Sequence, residues 1–272
     1  MYAELILQTP MLELLTKVFT TAFVVIAIAL AVGQFGPIIG GALAGLPIVL
    51  GPGFYFLLGR APADFVSLTA VYSVLSICAT QVFTLVYIVV GTRFSPWVAV
   101  TAAGLAWLAS VNLLRLLPPN VWLGVVLFIV VTLLTRKISL RFTKDVDKVR
   151  SAESIALLLL RGGLAGLLVA VVTTGASQLG TQWSGLLMAY PIGFTVIYVT
   201  IQRQYGTDIT MSTLRSTLLG TASLVGFCAS VALTAPHFTA LVAFLISLLV
   251  SVLVTALLIA HNQIQSRNLR AS

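Results

Sequence analysis

Carboxylates are scarce in this chain of 272 residues: Asp and Glu together number 7, and none falls deep inside an apolar stretch. A proton relay built on buried Asp or Glu therefore lacks its usual parts. Histidine and cysteine are rarer still, two of each, and they do not cluster with acidic residues. A tight metal site is not expected from such a set. Cys78 and Cys228 both fall in apolar stretches; they read as buried thiols, and a disulfide cannot be argued from two such residues. The P-loop pattern GxxxxGK[ST] is missing, which speaks against a P-loop ATPase. No nucleophile lies in an evident arrangement with a base, which speaks against an integral-membrane hydrolase. An enzyme is not expected, and no cofactor is implied.

What is abundant is apolar surface. Hydrophobic residues make up 59% of the chain, charged residues 8%, and the mean hydropathy is +1.10. A soluble domain could not cover that much apolar surface, so the chain belongs in a bilayer. A spanning helix needs about 20 apolar residues. Nine stretches qualify, at roughly 14–35, 37–59, 64–91, 96–117, 119–135, 154–177, 182–202, 209–235 and 238–260. The second and seventh are interrupted, and the fifth is short, its apolar run going only from Val121 to Thr135. Connections are brief except for residues 136–153, which hold six basic and three acidic side chains.

Basic residues near helix ends mark the cytoplasmic side. With the amino terminus outside, nine alternating spans put Arg93, the basic residues of 136–153, Arg203, Arg215, Arg267 and Arg270 inside, and leave Arg60 and Arg115 outside. The expected orientation is therefore tail out and carboxyl terminus in. The net charge of +8 reflects this bias and attraction to anionic headgroups, not a nucleic-acid module. The opening MYAELILQTP lacks a basic start, so no cleaved signal peptide is expected.

One short pattern occurs twice, 144 residues apart. Gln34, Gly36, Gly41, Leu43, Pro47 and Ile48 recur as Gln178, Gly180, Gly185, Leu187, Pro191 and Ile192, six identities in seventeen positions. The register also aligns Lys17 with Arg161, Asp64 with Asp208, Thr69 with Thr213 and Phe83 with Phe227. Four spans per copy with one span between them make the copies face opposite ways, as in inverted-repeat transporters. The expected fold is all-α and polytopic, about nine transmembrane helices in a 4 + 1 + 4 inverted repeat. Residues 1–117 form the first unit, 118–153 a linker span and basic loop, and 154–272 the second unit.

Where Gly185, Leu186, Leu187, Tyr190 and Pro191 run together, the sequence resembles the GlpM family of small four-span bacterial membrane proteins. The resemblance covers residues 184–198 and 213–221, and more faintly 44–55. It implies a bacterial inner membrane and a four-span unit, here two units fused through one extra span. It implies little about chemistry. The halves differ in their polar residues, since Arg215 faces Val71 in the alignment.

Pro47 and Pro191 lie near mid-span. Each removes a backbone donor, so a carbonyl one turn earlier needs another partner. That partner is either a solute or ion at a broken helix, or a neighbouring helix at a plain kink. Gly41 and Gly185 belong to runs of small residues that suit close helix packing or ligand contact. Gln34 and Gln178 precede the glycine entries and offer polar contacts or turn caps. Tyr190 and Arg161 complete the candidate substrate-binding set. Lys17, Arg161 and Arg215 are ionisable groups within spans, candidates by default unless they snorkel to headgroups. Asp64 and Asp208 start two spans on opposite membrane faces, where a carboxylate caps the helix dipole or acts as a gate, with Arg60 or Arg203 as a nearby partner. The reading that follows is a secondary transporter or exporter of a small neutral, anionic or lipid-linked solute, working by alternating access. The alternative is a non-transport membrane subunit or assembly factor of an envelope-polysaccharide or lipid pathway. Expected partners are membrane lipids and an unknown small solute, without nucleic acid, and with a homo-oligomer allowed.

Overall fold

A computed structural model describes residues 15–16, 18–23, 47, 49–143 and 155–271. Among these, beside a helical stretch at 18–23, lie ten helices and no strand. They are α1 (Leu50–Leu58), α2 (Ala63–Gly91), α3 (Pro96–Leu114), α4 (Val121–Ser139), α5 (Ile155–Thr174), α6 (Ala176–Met188), α7 (Ile192–Tyr205), α8 (Thr207–Gly220), α9 (Ala222–Thr234) and α10 (Ala240–Ala271).

Among the described residues, five helices are long and apolar enough to cross a membrane: α2, α3, α4, the combined run Thr207–Thr234 and the Ala240–Ala260 part of α10. The segments Gln178–Met188 and Ile192–Arg203, bent by 40° at their junction, qualify as a sixth when taken together. The protein is thus all-helical where described, with helices suited to a membrane. Of the expected span at 14–35 only 15–16 and 18–23 are described, and of that at 37–59 only 47 and 49–59, which include α1.

Local chemistry explains where these helices start and stop. Ser95 caps α3, accepting from the Val98 amide at 3.5 Å, with Pro96 in the first turn. Asn120 caps α4 by accepting from the amides of Trp122 at 2.9 Å and Leu123 at 3.1 Å. α4 does not stop at Thr135 but runs 19 residues to Ser139, because Arg136 and Lys137 sit in its last turn. Cations there interrupt an apolar run but suit the helix dipole.

α2 is the centre of the bundle. In its most apolar window 72% of residues are buried, against 22% for each of α3, α4 and Ala240–Ala260. Leu105 and Leu113 on α3, Val126 and Leu133 on α4, and Leu245 and Leu253 on α10 are exposed. Apolar rows of this kind suit lipid, which is as apolar as leucine. α4 and α7 run parallel to α2: Gln81 reaches Thr132, Thr84 meets Tyr198, and Tyr87 meets Gln202. α8–α9 runs antiparallel, since Ser67 bonds Ala232 and Gln81 bonds Thr221. Two consequences follow. The carboxyl-terminal ends of α2, α4 and α7 share one end of the bundle, with Arg93, Arg136, Lys137, Arg141 and Arg203, while Arg60 and Arg115 lie at the other. Asp64 and Asp208, in the first turns of α2 and α8, also lie at opposite ends.

Contacts recur at the 144-residue offset. Phe54 packs edge-on against Phe227 with ring centroids 5.9 Å apart, and the counterpart pair, Tyr198 and Phe83, lies at 6.2 Å. α1 packs on α10 as α7 packs on α3. The Pro47 carbonyl accepts from the Gly51 amide at 2.6 Å, and the Pro191 carbonyl accepts from the Thr195 amide at 2.9 Å.

Candidate functional site

The polar interior follows one face of α2. Thr69, Ser73, Ser76, Thr80 and Thr84 recur every three or four residues and are all buried. That spacing puts them in one row on a helix. The row faces the break between α6 and α7, and the reason lies in Pro191. Proline has no amide hydrogen, so α6 cannot continue its hydrogen-bond ladder through it. Backbone groups inside a membrane must still find partners. Here the hydroxyls of α2 provide them: Ser73 donates to the Gly185 carbonyl at 2.9 Å, Ser76 to Leu186 at 2.8 Å, and Thr80 to Ala189 at 3.4 Å. Leu187, one turn before the proline, has its carbonyl bonded by the Tyr190 amide at 3.0 Å. The carbonyl that the proline leaves without its usual donor is thus bonded within its own turn, neither by a solute nor by a neighbouring helix, while the α2 hydroxyls hold the carbonyls on either side of it.

Gly185 makes this contact geometrically feasible. A β-carbon there would strike the Thr69 carbonyl and come within 2.7 Å of Tyr72 Cβ. Only a residue without a side chain lets the α6 carbonyls reach the hydroxyls of α2. Gly180, in the recurring Gln-x-Gly entry, has φ of 71° inside α6, a left-handed conformation that favours glycine.

Beyond the break, the polar row continues through Tyr198. Its phenol oxygen lies 3.1 Å from Thr84 Oγ1 and 3.0 Å from Thr217 Oγ1. Both threonines also donate to carbonyls of their own helices, Thr80 at 2.9 Å and Leu214 at 2.7 Å. The phenol has one proton for two acceptors, so the cluster keeps spare accepting capacity. The Tyr198 ring stacks on Phe194, with centroids 5.7 Å apart and planes at 8°, and meets Tyr87 edge-on at 5.4 Å. At the far end Tyr87 donates to Gln202 Oε1 at 2.8 Å, and Gln202 donates to the Gly91 carbonyl at 2.9 Å. From Ser73 to Tyr87 the row rises about 21 Å, most of a hydrocarbon core of about 30 Å. It contains no carboxylate, lysine, arginine or histidine.

A second buried amide, Gln81, ties three helices together. Its Nε2 lies 2.9 Å from Thr132 Oγ1, 2.8 Å from the Leu218 carbonyl and 2.9 Å from Thr221 Oγ1. Its Oε1 is buried without a partner.

Of the residues expected from sequence, Gly185 and Pro191 belong to this site, and Pro47 begins the matching turn before α1. Tyr190 is half-buried next to the break, its ring edge-on to Trp107 with centroids 4.8 Å apart. Gln178 is exposed and is not gathered with the row. Gln34, Gly41 and Lys17 lie outside the described residues. Arg161 sits on α5, and its side chain lies outside what is described. Arg215 is half-buried and close enough to Arg136 for their like charges to interact. Asp64 and Asp208 are exposed in first turns, where the helix dipole favours a carboxylate. Cys78 and Cys228 are buried and free.

Sequence reasoning missed Ser73, Ser76, Thr80, Thr84, Tyr198 and Gln202. The signal was a run of hydroxyls at helical spacing in an otherwise apolar span. Comparison with protein-family models, with curated proteins and with solved structures returns no match.

Proposed function

We propose that the protein is a secondary transporter in which two inverted four-span halves, related across one linker span, exchange roles to open a central site alternately to each side of the membrane. The observation that carries this reading is the reciprocal aromatic pair. Phe54 meets Phe227, and Tyr198 meets Phe83, each partner 144 residues from its counterpart. The antiparallel course of α2 against α8–α9 supports the inversion, as does the matched hydrogen bond after Pro47 and Pro191. The Phe54–Phe227 pair lies toward the Ser67–Ala232 contact, and Phe83–Tyr198 toward the Tyr87–Gln202 contact. One pair thus lies toward each half of the hydroxyl row, the second inside it between Thr80 and Thr84, a placement that suits two gates in alternating access.

The chemistry of the row narrows the solute. Its lining of hydroxyls, carbonyls, amides and aromatic rings, without a carboxylate or a basic side chain, suits a neutral solute with several hydrogen-bonding groups better than an anion. Segregation of basic residues at one end supports a cytoplasmic face there, with the amino terminus outside. The resemblance to the GlpM family supports a bacterial inner membrane.

Thiol labelling tests the path. Cysteines are placed singly, as Ser76→Cys and Thr80→Cys, on a Cys78→Ala, Cys228→Ala background and treated with a membrane-impermeant maleimide from each side. Both positions should label from both sides, slowly, with Arg141→Cys as a one-sided control. Labelling of the control alone would remove the path. Such a result would favour the second reading, a static membrane subunit, which the close seating of Gly185 on α2 independently suits.

A further inference from the structure

A lateral groove opens between α5 and α7, away from the hydroxyl row. Its volume is about 590 Å³, within the usual range for ligand sites of about 300–1,000 Å³. Leu160 and Leu164 form one wall, and Val196 and Val199 the other. Thr195 closes one end of the groove, and Arg203 stands at the other, about 12 Å further along α7. Trp97, at the start of α3, covers the Arg203 end and is 61% exposed.

This combination is specific in its chemistry. The walls are aliphatic, so a freely soluble ion gains nothing from them. Leu160 is itself 53% exposed, so the groove opens toward the lipid. Arg203 is exposed in the last turn of α7 and pairs with no carboxylate among the described residues, the Asp208 partner expected from sequence included. Around it, the same end of the bundle carries Arg93, Arg136, Lys137 and Arg141. An indole beside the mouth belongs at the headgroup level of a bilayer.

We infer that this groove is a binding site for an anionic phospholipid, its phosphate at Arg203 and an acyl chain between α5 and α7. The inference stands apart from the transport reading and needs only that the helices lie in a membrane. It places a lipid against α7, the half-helix that follows the Pro191 break.

Native mass spectrometry of the full chain tests it, with phosphatidylglycerol and phosphatidylcholine of identical acyl chains as probes. The unaltered protein should retain phosphatidylglycerol about fivefold better, the worth of one well-placed guanidinium. Arg203→Gln should abolish that preference, and Arg93→Gln should leave it intact. Leu164→Trp, which fills the groove, should lower retention of both lipids. Equal retention of the two lipids by the unaltered protein would overturn the inference. So would equal loss of preference in Arg93→Gln, the mark of a diffuse basic surface, or unchanged retention in Leu164→Trp. Matched thermal midpoints of the variants guard against misfolding.

Discussion

Gly185→Ala is expected to cost about 2–4 kcal/mol of stability, while Gly104→Ala leaves stability nearly unchanged. The two glycines differ in what a single added methyl group meets. At Gly104 nothing lies within 4 Å. At Gly185 the methyl would run into the Thr69 carbonyl, Tyr72 Cβ at 2.7 Å and the Ser73 amide nitrogen at 3.1 Å. These are backbone atoms and the root of a side chain, so no flexible tip can swing aside. α6 must move off α2. Overpacking of this kind costs about 1–3 kcal/mol. Retreat of α6 also stretches the bonds from Ser73 to Gly185 and from Ser76 to Leu186, and each buried polar group left unpaired costs about 1–3 kcal/mol. The check is the thermal midpoint of both variants in one detergent. Equal midpoints would mean that the α2–α6 contact is looser than described.

Tyr198 offers the sharpest separation of structure from function. Tyr198→Ala removes a ring that is 1% exposed and packed against Phe83, Tyr87 and Phe194. Loss of a buried aromatic side chain costs about 3–5 kcal/mol. Tyr198→Phe keeps the ring and deletes only the hydroxyl. Thr84 and Thr217 both donate to their own helices, so neither loses its acceptor when the phenol goes. The stability change should stay within about 1 kcal/mol. A solute that hydrogen-bonds the spare capacity of this cluster would lose a partner, and an unpaired polar group lowers its affinity by about 10- to 100-fold. Solute counterflow in proteoliposomes, read beside the thermal midpoint, separates the two effects. If Tyr198→Phe transports normally, the phenol only supports the packing.

The edges of α2 and the break at Pro191 were legible because each rests on local chemistry. Pro62 ends what precedes α2, and Pro191 cannot donate a backbone hydrogen bond whatever surrounds it. The extent of α4 was less legible, since Arg136 and Lys137 lower hydropathy without ending a helix. The hydroxyl row on α2 was present in the sequence but carried no meaning on its own. Serine and threonine are tolerated inside apolar helices by bonding the carbonyl one turn back, as Thr84 does with Thr80. Only the approach of α6, permitted by Gly185, turns that row into partners for a broken helix. Gln178 shows the converse: its place in a recurring motif suggested an interior contact, yet in the fold it is exposed. A motif records where the chain turns, and here the turn lies at Gly180. Tyr198 escaped notice because a single aromatic residue in an apolar span is unremarkable until its neighbours are known.

The central claim is that the two halves are equivalent by exchange, so their gates should be opposite in effect. The most direct measurement compares labelling of Thr80→Cys, on the background without native cysteines, in the presence of Phe227→Ala and separately of Phe83→Ala. Each substitution trims one of the two reciprocal pairs and leaves its counterpart intact, Phe227→Ala also removing the edge contact with Phe244. The account predicts that Phe227→Ala speeds labelling from the side of Ser67 and slows it from the other, while Phe83→Ala does the reverse. Unchanged rates in both variants, or a shift toward the same side in both, would contradict it.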